Sequence, residues 1–194
     1  MVSVNGIGNV TISSSSSAIF SVFAANFSIN NVHFERSKGF TPATSAIVIN
    51  SLCFNGCSIR ITNCSFSNLN ASLGSGAAIG ASFSGYSNMV DSMFLISNCV
   101  FRDCNADKGG AIAFLQTGGT AASRLNVVLQ DNSFITCSSD TNGGAVLIES
   151  SVALSNSRFE VNSSNFTSCS ANGNYDGGSI ALIFKEDLAN ISII

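Results

Sequence analysis

The sequence predicts an all-β fold, a right-handed parallel β-helix of about five rungs, each of roughly 33 residues with three short strands. Three observations predict it: a phenylalanine that recurs every 32 to 35 residues, apolar residues that alternate with variable ones before it, and small polar residues between the two. The composition agrees, because 45% of the residues are hydrophobic and only 10% are charged. Ser, Asn and Gly are abundant, which disfavours a helical bundle.

The first strand of each rung is predicted from two apolar columns, seven and five residues before the recurring phenylalanine. The residue between the columns varies, as in a strand with one buried face. The phenylalanines are Phe34, Phe66, Phe101, Phe134 and Phe166. The first column is Phe27, Ile59, Phe94, Val127 and Phe159, and the second is Ile29, Ile61, Ile96, Leu129 and Val161.

A corner and two further strands complete the predicted rung. Three residues before each phenylalanine stands a small polar residue that tolerates left-handed backbone. These corner residues are Asn31, Asn63, Asn98, Asp131 and Ser163. The second strand ends in the phenylalanine, and the third follows a loop of variable length. The third strand's columns are Ile47, Ile79, Ile112, Val146 and Ile180, then Ile49, Ala81, Phe114, Ile148 and Leu182.

Stacking is the reason to predict a helix of rungs. A repeat of this size cannot bury its apolar face alone. Rungs stacked about 4.8 Å apart bury it, and their strands pair in parallel. The usual chirality of parallel connections predicts the right-handed form. A β-sandwich is the rival fold, but it has no reason to repeat its strands at this period.

A glycine pair precedes the third strand in three rungs, at Gly109–Gly110, Gly143–Gly144 and Gly177–Gly178. Two roles are open at this stage. The pair supplies a backbone conformation that a Cβ penalises, or it permits close packing of stacked corners. A phosphate-binding loop is disfavoured, because no Lys-Ser/Thr follows and the next element is a strand.

The repeat pattern also sets the domain boundaries. Residues 1–26 match the repeat poorly, and Val10 and Ile12 are expected to begin an irregular first rung. Residues 27–190 carry the repeats. Ile191 and Ile193 are expected in the first two columns of a further rung, truncated at 191–194. We therefore expect one domain over 1–194, a segment of a longer β-helix with further rungs. Fraying or dimerisation at the open end is the alternative.

Two stretches resemble a known repeat: CVFRDCNADKGGAI at Cys99–Ile112 and SFITCSSDTNGGAV at Ser133–Val146. They are similar to the polymorphic membrane protein repeat of chlamydial autotransporter adhesins, which also occurs in protist surface proteins. Its GGA-Ile/Leu/Val hallmark is present in both stretches. Its Phe-x-x-Asn hallmark departs, since Cys104, Cys137 and Cys169 stand in place of Asn. The resemblance covers residues 59–184 and implies a pectin-lyase-like β-helix in an extracellular setting, with no catalytic residues to carry over.

The seven cysteines predict packing rather than chemistry. Cys104, Cys137 and Cys169 share one column and Cys64 and Cys99 another, which predicts a stacked interior thiol ladder. Disulfides between rungs are the alternative, although Cβ atoms about 4.8 Å apart are slightly too distant. A local disulfide between Cys53 and Cys57 is also open. A metal site there is unsupported, because neither a CxxC motif nor a histidine accompanies them.

Two kinds of polar residue are candidate site residues. His33, the only histidine, occupies an outward strand position. We expect it to be exposed or at an interface rather than part of a Ser–His–Asp or Cys–His system. Asp107, Asp140 and Asp176 each precede a glycine pair, so stacking would place them on one edge. They form either a weak cation or sugar site or ordinary turns.

The function predicted from these observations is a non-enzymatic extracellular or cell-surface β-helix module, structural or adhesin-like, that binds a protein or glycan through its faces and loops. No catalytic, cofactor or metal residues are predicted. The alternative is a pectin-lyase-like polysaccharide lyase or glycoside hydrolase, or a degenerate relative, which needs clustered carboxylates. The net charge of −3 without a basic stripe disfavours nucleic acid. No apolar run approaches the roughly 18 residues of a membrane span.

Overall fold

The computed structural model describes residues 2–6, 11–13, 18–22, 26–35, 44–50, 56–83, 89–119, 121–173 and 177–194. Within these ranges every regular element is a β-strand. Every strand pair among them is parallel and joins one rung to the next. The chain is therefore a parallel β-helix, which confirms the predicted fold class.

The strands form sheets that run along the helix axis. Sheet A contains Val2–Asn5, Asn26–Asn30, Ser58–Thr62, Met93–Ser97, Asn126–Gln130, Arg158–Asn162 and Ser192–Ile193. Sheet B contains Thr11–Ser13, His33–Glu35, Ser65–Ser75, Val100–Lys108, Ser133–Ile135, Ser138–Ser139, Asn165–Thr167 and Ser170–Ala171. Sheet C contains Phe20–Val22, Ile47–Asn50, Ile79–Phe83, Ile112–Gln116, Val146–Ser150 and Ile180–Phe184.

A fourth sheet was not predicted from the sequence. Sheet D contains Met89–Val90, Ala121–Ser123, Ala153–Ser155 and Leu188–Ala189. Its strands lie in the segment between sheet C and the next strand of sheet A. Met89, Ala122 and Leu154 stack there and are buried. The core is therefore closed on four sides rather than three.

The predicted columns stack in register. Phe27 pairs with Ile59, and that column continues through Phe94, Val127 and Phe159. The remaining predicted columns, through Ile29, Phe34, Ile47 and Ile49, are aligned in the same way. A one-residue shift of any strand against its neighbour would turn its apolar side chains outward. The alternation of apolar and variable residues therefore fixes the register.

The phenylalanine column forms a continuous stack of rings in the core. Neighbouring centroids from Phe34 to Phe166 are 4.7, 4.9, 4.7 and 4.6 Å apart, with interplanar angles of 4°, 3°, 6° and 3°. Carbon atoms in contact lie about 3.5–4.0 Å apart, so parallel rings at these distances are offset. Offset stacking is the arrangement that the ring quadrupole favours. The rung spacing and the ring preference therefore agree.

The corners adopt left-handed backbone, as predicted after sheet A. There Asn31, Asn63, Asn98, Asp131 and Ser163 have φ values of 56°, 53°, 53°, 53° and 48°. The same conformation recurs at the other corners, at positions that the sequence did not single out. After the phenylalanine it occurs at Asn68, Asp103, Thr136 and Ser168, and before sheet A at Gly56, Asp91, Arg124, Asn156 and Asn190.

In the pairs Gly109–Gly110 and Gly143–Gly144 the two glycines have different roles, and both predicted roles are present. Gly143 has a φ of 65°, and a Cβ on it would lie 2.2 Å from the Val146 carbonyl oxygen. Gly144 has no such φ, but its Cβ would lie 2.4 Å from the Gly178 carbonyl oxygen on the next rung and 2.4 Å from the Ser170 carbonyl carbon. The first glycine makes the corner and the second lets the next rung approach.

The strands at both ends of the chain extend the sheets. Val2 pairs with Phe27 and Ile12 with Phe34, so the described strands within residues 1–26 continue sheets A and B in register. Val10 lies outside the described residues. At the other end Ile193 pairs with Phe159 and therefore occupies the first column. The prediction that placed Ile191 there was wrong by two residues, because the segment from Phe166 to Ile180 is two residues longer than the equivalent segment from Phe134 to Val146.

Gly144→Ala is expected to destabilise the fold by roughly 2–3 kcal/mol, because the added methyl group meets backbone atoms that cannot move aside. The matched control is Gly178→Ala. No described atom lies within 4 Å of the Cβ position at Gly178, so this change should stay within about 0.5 kcal/mol of the parent. Chemical denaturation of both variants measures the difference. Equal stability of the two variants would contradict the close-packing role.

Candidate functional site

The predicted thiol ladder is present inside the helix. Cys64, Cys99, Cys104 and Cys137 are buried free thiols, and Cys169 is a partly buried one. Each thiol faces carbonyl oxygens of its own corner and of the rung below. Cys137 Sγ, for example, donates to the Ile135 and Phe101 oxygens, both at 3.6 Å. The ladder therefore satisfies backbone acceptors at the corners, a use that the sequence pattern did not reveal.

Stacking shifts the ionisation of these thiols. The hydrogen bond with Cys104, together with burial, raises the pKa of Cys137 to about 12. A hydrogen bond with Cys137 also raises the pKa of Cys169. In the other column the Cys99 thiol stabilises ionised Cys64, which lowers the pKa of Cys64 and raises that of Cys99. In four of the described free thiols the neighbouring thiol of the same column is thus the largest cause of the pKa shift.

Cys57 has a different state, since it is disulfide-bonded. A disulfide on Cys57 is what the local Cys53–Cys57 bond considered from the sequence requires. Cys53, the other cysteine of that prediction, lies outside the described residues.

The aspartates before the glycine pairs are partly described. The Asp140 amide donates to the Ala106 oxygen at 3.1 Å, which continues the pairing of Ala106 with Ser139 and places Asp140 one rung above Asp107. The predicted stacking therefore holds for these two residues. Asp176 lies outside the described residues. Among the residues that the structure describes, no three His, Cys, Asp or Glu side chains come together as metal ligands.

Glu149 is a buried carboxylate on the outer side of sheet C. Its side chain is 9% exposed and contacts Lys108 Nζ at 3.8 Å and Lys185 Nζ more closely. Lys185 follows the strand that stacks directly above that of Glu149, and Lys108 is the last residue of a strand of sheet B. The two cations compensate the buried charge, which would otherwise be costly. The cluster thus links neighbouring rungs, and the Glu149 carboxylate is ion-paired with both lysines.

An uncharged groove of about 240 Å³ opens on the outer side of sheet C. It exists because the outward column of sheet C has small residues, Gly80 and Ala113, on two successive rungs. On the next rung the larger Leu147 side chain closes the groove. Ser45 Oγ donates to the Ser75 oxygen at 3.0 Å across one wall. The lining consists of Thr44, Ser45, Ser75 and Ser82, with Val48, Gly74, Gly80, Ala81, Ala113 and Leu115.

His33 lies in a polar cluster on the outer face of sheet B. The ring is outward and partly exposed, as predicted, but the structure also gives it specific neighbours. Nδ1 lies 2.6 Å from Ser65 Oγ, and Nε2 lies 3.5 Å from Ser67 Oγ and 3.8 Å from Glu35 Oε2. Asn68 Nδ2 donates to Glu35 Oε1 at 3.2 Å. The sequence pattern pointed to the column through His33 but not to Glu35, two residues further along the strand.

The cluster contains a serine, a histidine and a carboxylate, but it is not arranged as a hydrolytic triad. A triad needs hydrogen bonds on both ring nitrogens and backbone donors for an oxyanion. The Nε2–Oε2 separation of 3.8 Å is longer than a hydrogen bond. The Ser65 amide donates to the Val32 oxygen at 3.1 Å, so the sheet ladder uses the donor beside the hydroxyl.

Comparisons with family models, curated proteins and solved structures find no match for this chain. The resemblance to the polymorphic membrane protein repeat therefore rests on the quoted motifs alone. Among the described residues, no helix is long and apolar enough to cross a membrane.

Cys137→Ala is expected to weaken the loss of stability at alkaline pH. The folded-state pKa of Cys137, about 12, lies above the ordinary value of 9.0. The thiol's contribution to the free energy of unfolding is therefore complete below about pH 9. It falls as pH rises toward 12, where the unfolded chain has lost a proton that the folded chain keeps. The free energy of unfolding of Cys137→Ala should therefore fall less steeply with pH than that of the parent, by up to about 1.4 kcal/mol per pH unit.

Denaturant titrations at several pH values between about 8 and 11 measure this slope. Val127→Ala is the control, since it truncates a buried side chain without removing a proton and should lower stability equally at every pH. A Cys137→Ala slope as steep as that of the parent would contradict the assigned pKa.

Proposed function

We propose that this chain is a non-enzymatic β-helix module of a secreted or cell-surface protein, and that it binds an uncharged, hydroxyl-rich ligand such as a neutral glycan. The observation that carries the proposal is the groove on sheet C. Its hydroxyl groups, from Thr44, Ser45, Ser75 and Ser82, stand beside an apolar floor. Ligand sites commonly combine an apolar lining with a few polar groups that fix orientation.

Polar side chains at the corner that follows sheet A support a binding role. Thr62 Oγ1 donates to Asn30 Oδ1 at 2.9 Å, and Asn63 Nδ2 donates to the same oxygen at 2.8 Å. Rung-to-rung hydrogen bonds of this kind hold the exposed amides in fixed positions. Solenoids offer such extended, ordered surfaces to their partners.

The state of the carboxylates supports the non-enzymatic part of the proposal. Glycoside hydrolysis needs two carboxyl groups about 5–9.5 Å apart across the scissile bond. Here Glu149 is engaged by two lysines, and Arg158 Nη2 lies 2.8 Å from Glu160 Oε2. Arg124 Nη2 donates to Asp91 Oδ2 at 2.8 Å. Each of these three carboxylates has a cationic partner of its own.

The disulfide of Cys57 supports the secreted or cell-surface setting. Disulfides form and persist mainly in oxidising compartments. The five free thiols are compatible with that setting, because four of them are buried.

The groove is tested with Ser82→Trp, which places an indole in the opening without altering a core position. Binding of the parent to a panel of neutral and uronate polysaccharides is measured by affinity electrophoresis, and product formation is followed by reducing ends and by unsaturated uronate. We expect retardation by a neutral glycan, loss of that retardation in Ser82→Trp, and no product.

Ser133→Trp, on the outer face of sheet B, is the matched control and should bind like the parent. Glycan binding that survives Ser82→Trp would remove the groove from the proposal. Product formation by the parent would favour the pectin-lyase-like enzyme instead.

A further inference from the structure

We propose that the outer face of sheet B binds a divalent transition-metal cation of the zinc class through His33 Nε2 and Glu35 Oε2, with Ser67 Oγ as a third, weaker oxygen. The site is separate from the groove on sheet C and does not depend on the glycan proposal.

The strand places the two main ligands on one side. His33 and Glu35 are two residues apart, so both face outward while Phe34 between them is buried. Side-chain exposures of 34% for His33 and 43% for Glu35 leave the site open to solvent. A cation can therefore reach these atoms without any rearrangement of the core.

The donor atoms are spaced as ligands of one ion. Nε2 lies 3.8 Å from Glu35 Oε2 and 3.5 Å from Ser67 Oγ. Zinc bonds of about 2.0–2.2 Å at tetrahedral angles place two ligands roughly 3.4 Å apart. The observed spacings need a closure of only a few tenths of an ångström. These separations are also too long for strong direct hydrogen bonds. An ion that binds between the side chains therefore replaces no strong hydrogen bond.

Hydrogen bonds from the next rung orient both ligands. Ser65 Oγ lies 2.6 Å from His33 Nδ1, so with an ion on Nε2 the Nδ1–H donates to the hydroxyl. Asn68 Nδ2 donates to Glu35 Oε1 at 3.2 Å, which leaves Oε2 facing the imidazole. Such outer-sphere partners fix the tautomer and orientation of metal ligands. In this cluster the register of the β-helix supplies them.

The ligand chemistry selects the class of ion. Imidazole nitrogen suits zinc and copper, whereas magnesium and calcium prefer sites made only of oxygen. With one nitrogen and two oxygens from the protein, water completes the coordination and the binding is weak. Arg102 stacks on Ser67 on the side away from Glu35, so the ion is expected at the His33–Glu35 edge.

Zinc chloride titration of the folded chain tests the site. Because His33 is the only histidine, its ring proton resonances are identified without further assignment. We expect a saturable shift of these resonances with a stoichiometry of one in calorimetry. His33→Gln should abolish binding, Glu35→Gln should weaken it by at least about tenfold, and Ser65→Ala by roughly tenfold.

Glu186→Gln is the matched control, since it makes the same charge change at an exposed carboxylate in the last rung, and it should bind like the parent. Thermal unfolding of each variant without zinc shows that it is folded. Equal affinity of Glu35→Gln and the parent would reduce the site to a lone surface histidine and overturn the proposal. Binding retained in His33→Gln would assign the zinc to thiols and overturn it as well.

Discussion

The structure depends on one constraint: each rung must superpose on the next, so that backbone groups pair one rung away in parallel register. Left-handed residues stand before and after sheet A, after the phenylalanine and before sheet C, for example at Asp91, Asn31, Asn68 and Gly143. Once the corners repeat, equivalent side chains must stack, and the columns of Phe, Ile and Cys follow without further specification.

This constraint also separates the interior from the functional surface. The core is closed by four sheets and filled by offset rings and thiols, so a ligand has access only to the outer faces. On those faces stacking brings together residues about 33 positions apart, such as His33 with Ser65 and Asn30 with Thr62. Both proposed sites arise in this way. The groove forms where the outward column of sheet C contains the small residue Gly80. The proposed metal site forms where His33 and Glu35 face polar residues of the next rung.

The sequence predicted the features in which one type of residue recurs at nearly constant spacing. The apolar columns and the Asn31-type corners recur at nearly constant spacing, so their register could be derived. Sheet D was missed because its strands, such as Met89–Val90, are only two or three residues long and lie in segments of variable length. Ile191 was misplaced because the loop between sheets B and C is two residues longer in the last rung than in the rung before it. The His33 cluster was missed because it joins a strand neighbour, Glu35, to residues of the next rung, and such contacts require the three-dimensional register.

Nuclear Overhauser contacts in solution test the central claim of in-register parallel stacking most directly. The account predicts contacts between the backbone protons of Phe66 and Phe101 and of Phe101 and Phe134, with equivalent contacts one rung apart in sheets A and C. Strand contacts confined to sequence neighbours joined by hairpins, in antiparallel register, would contradict it and favour a β-sandwich.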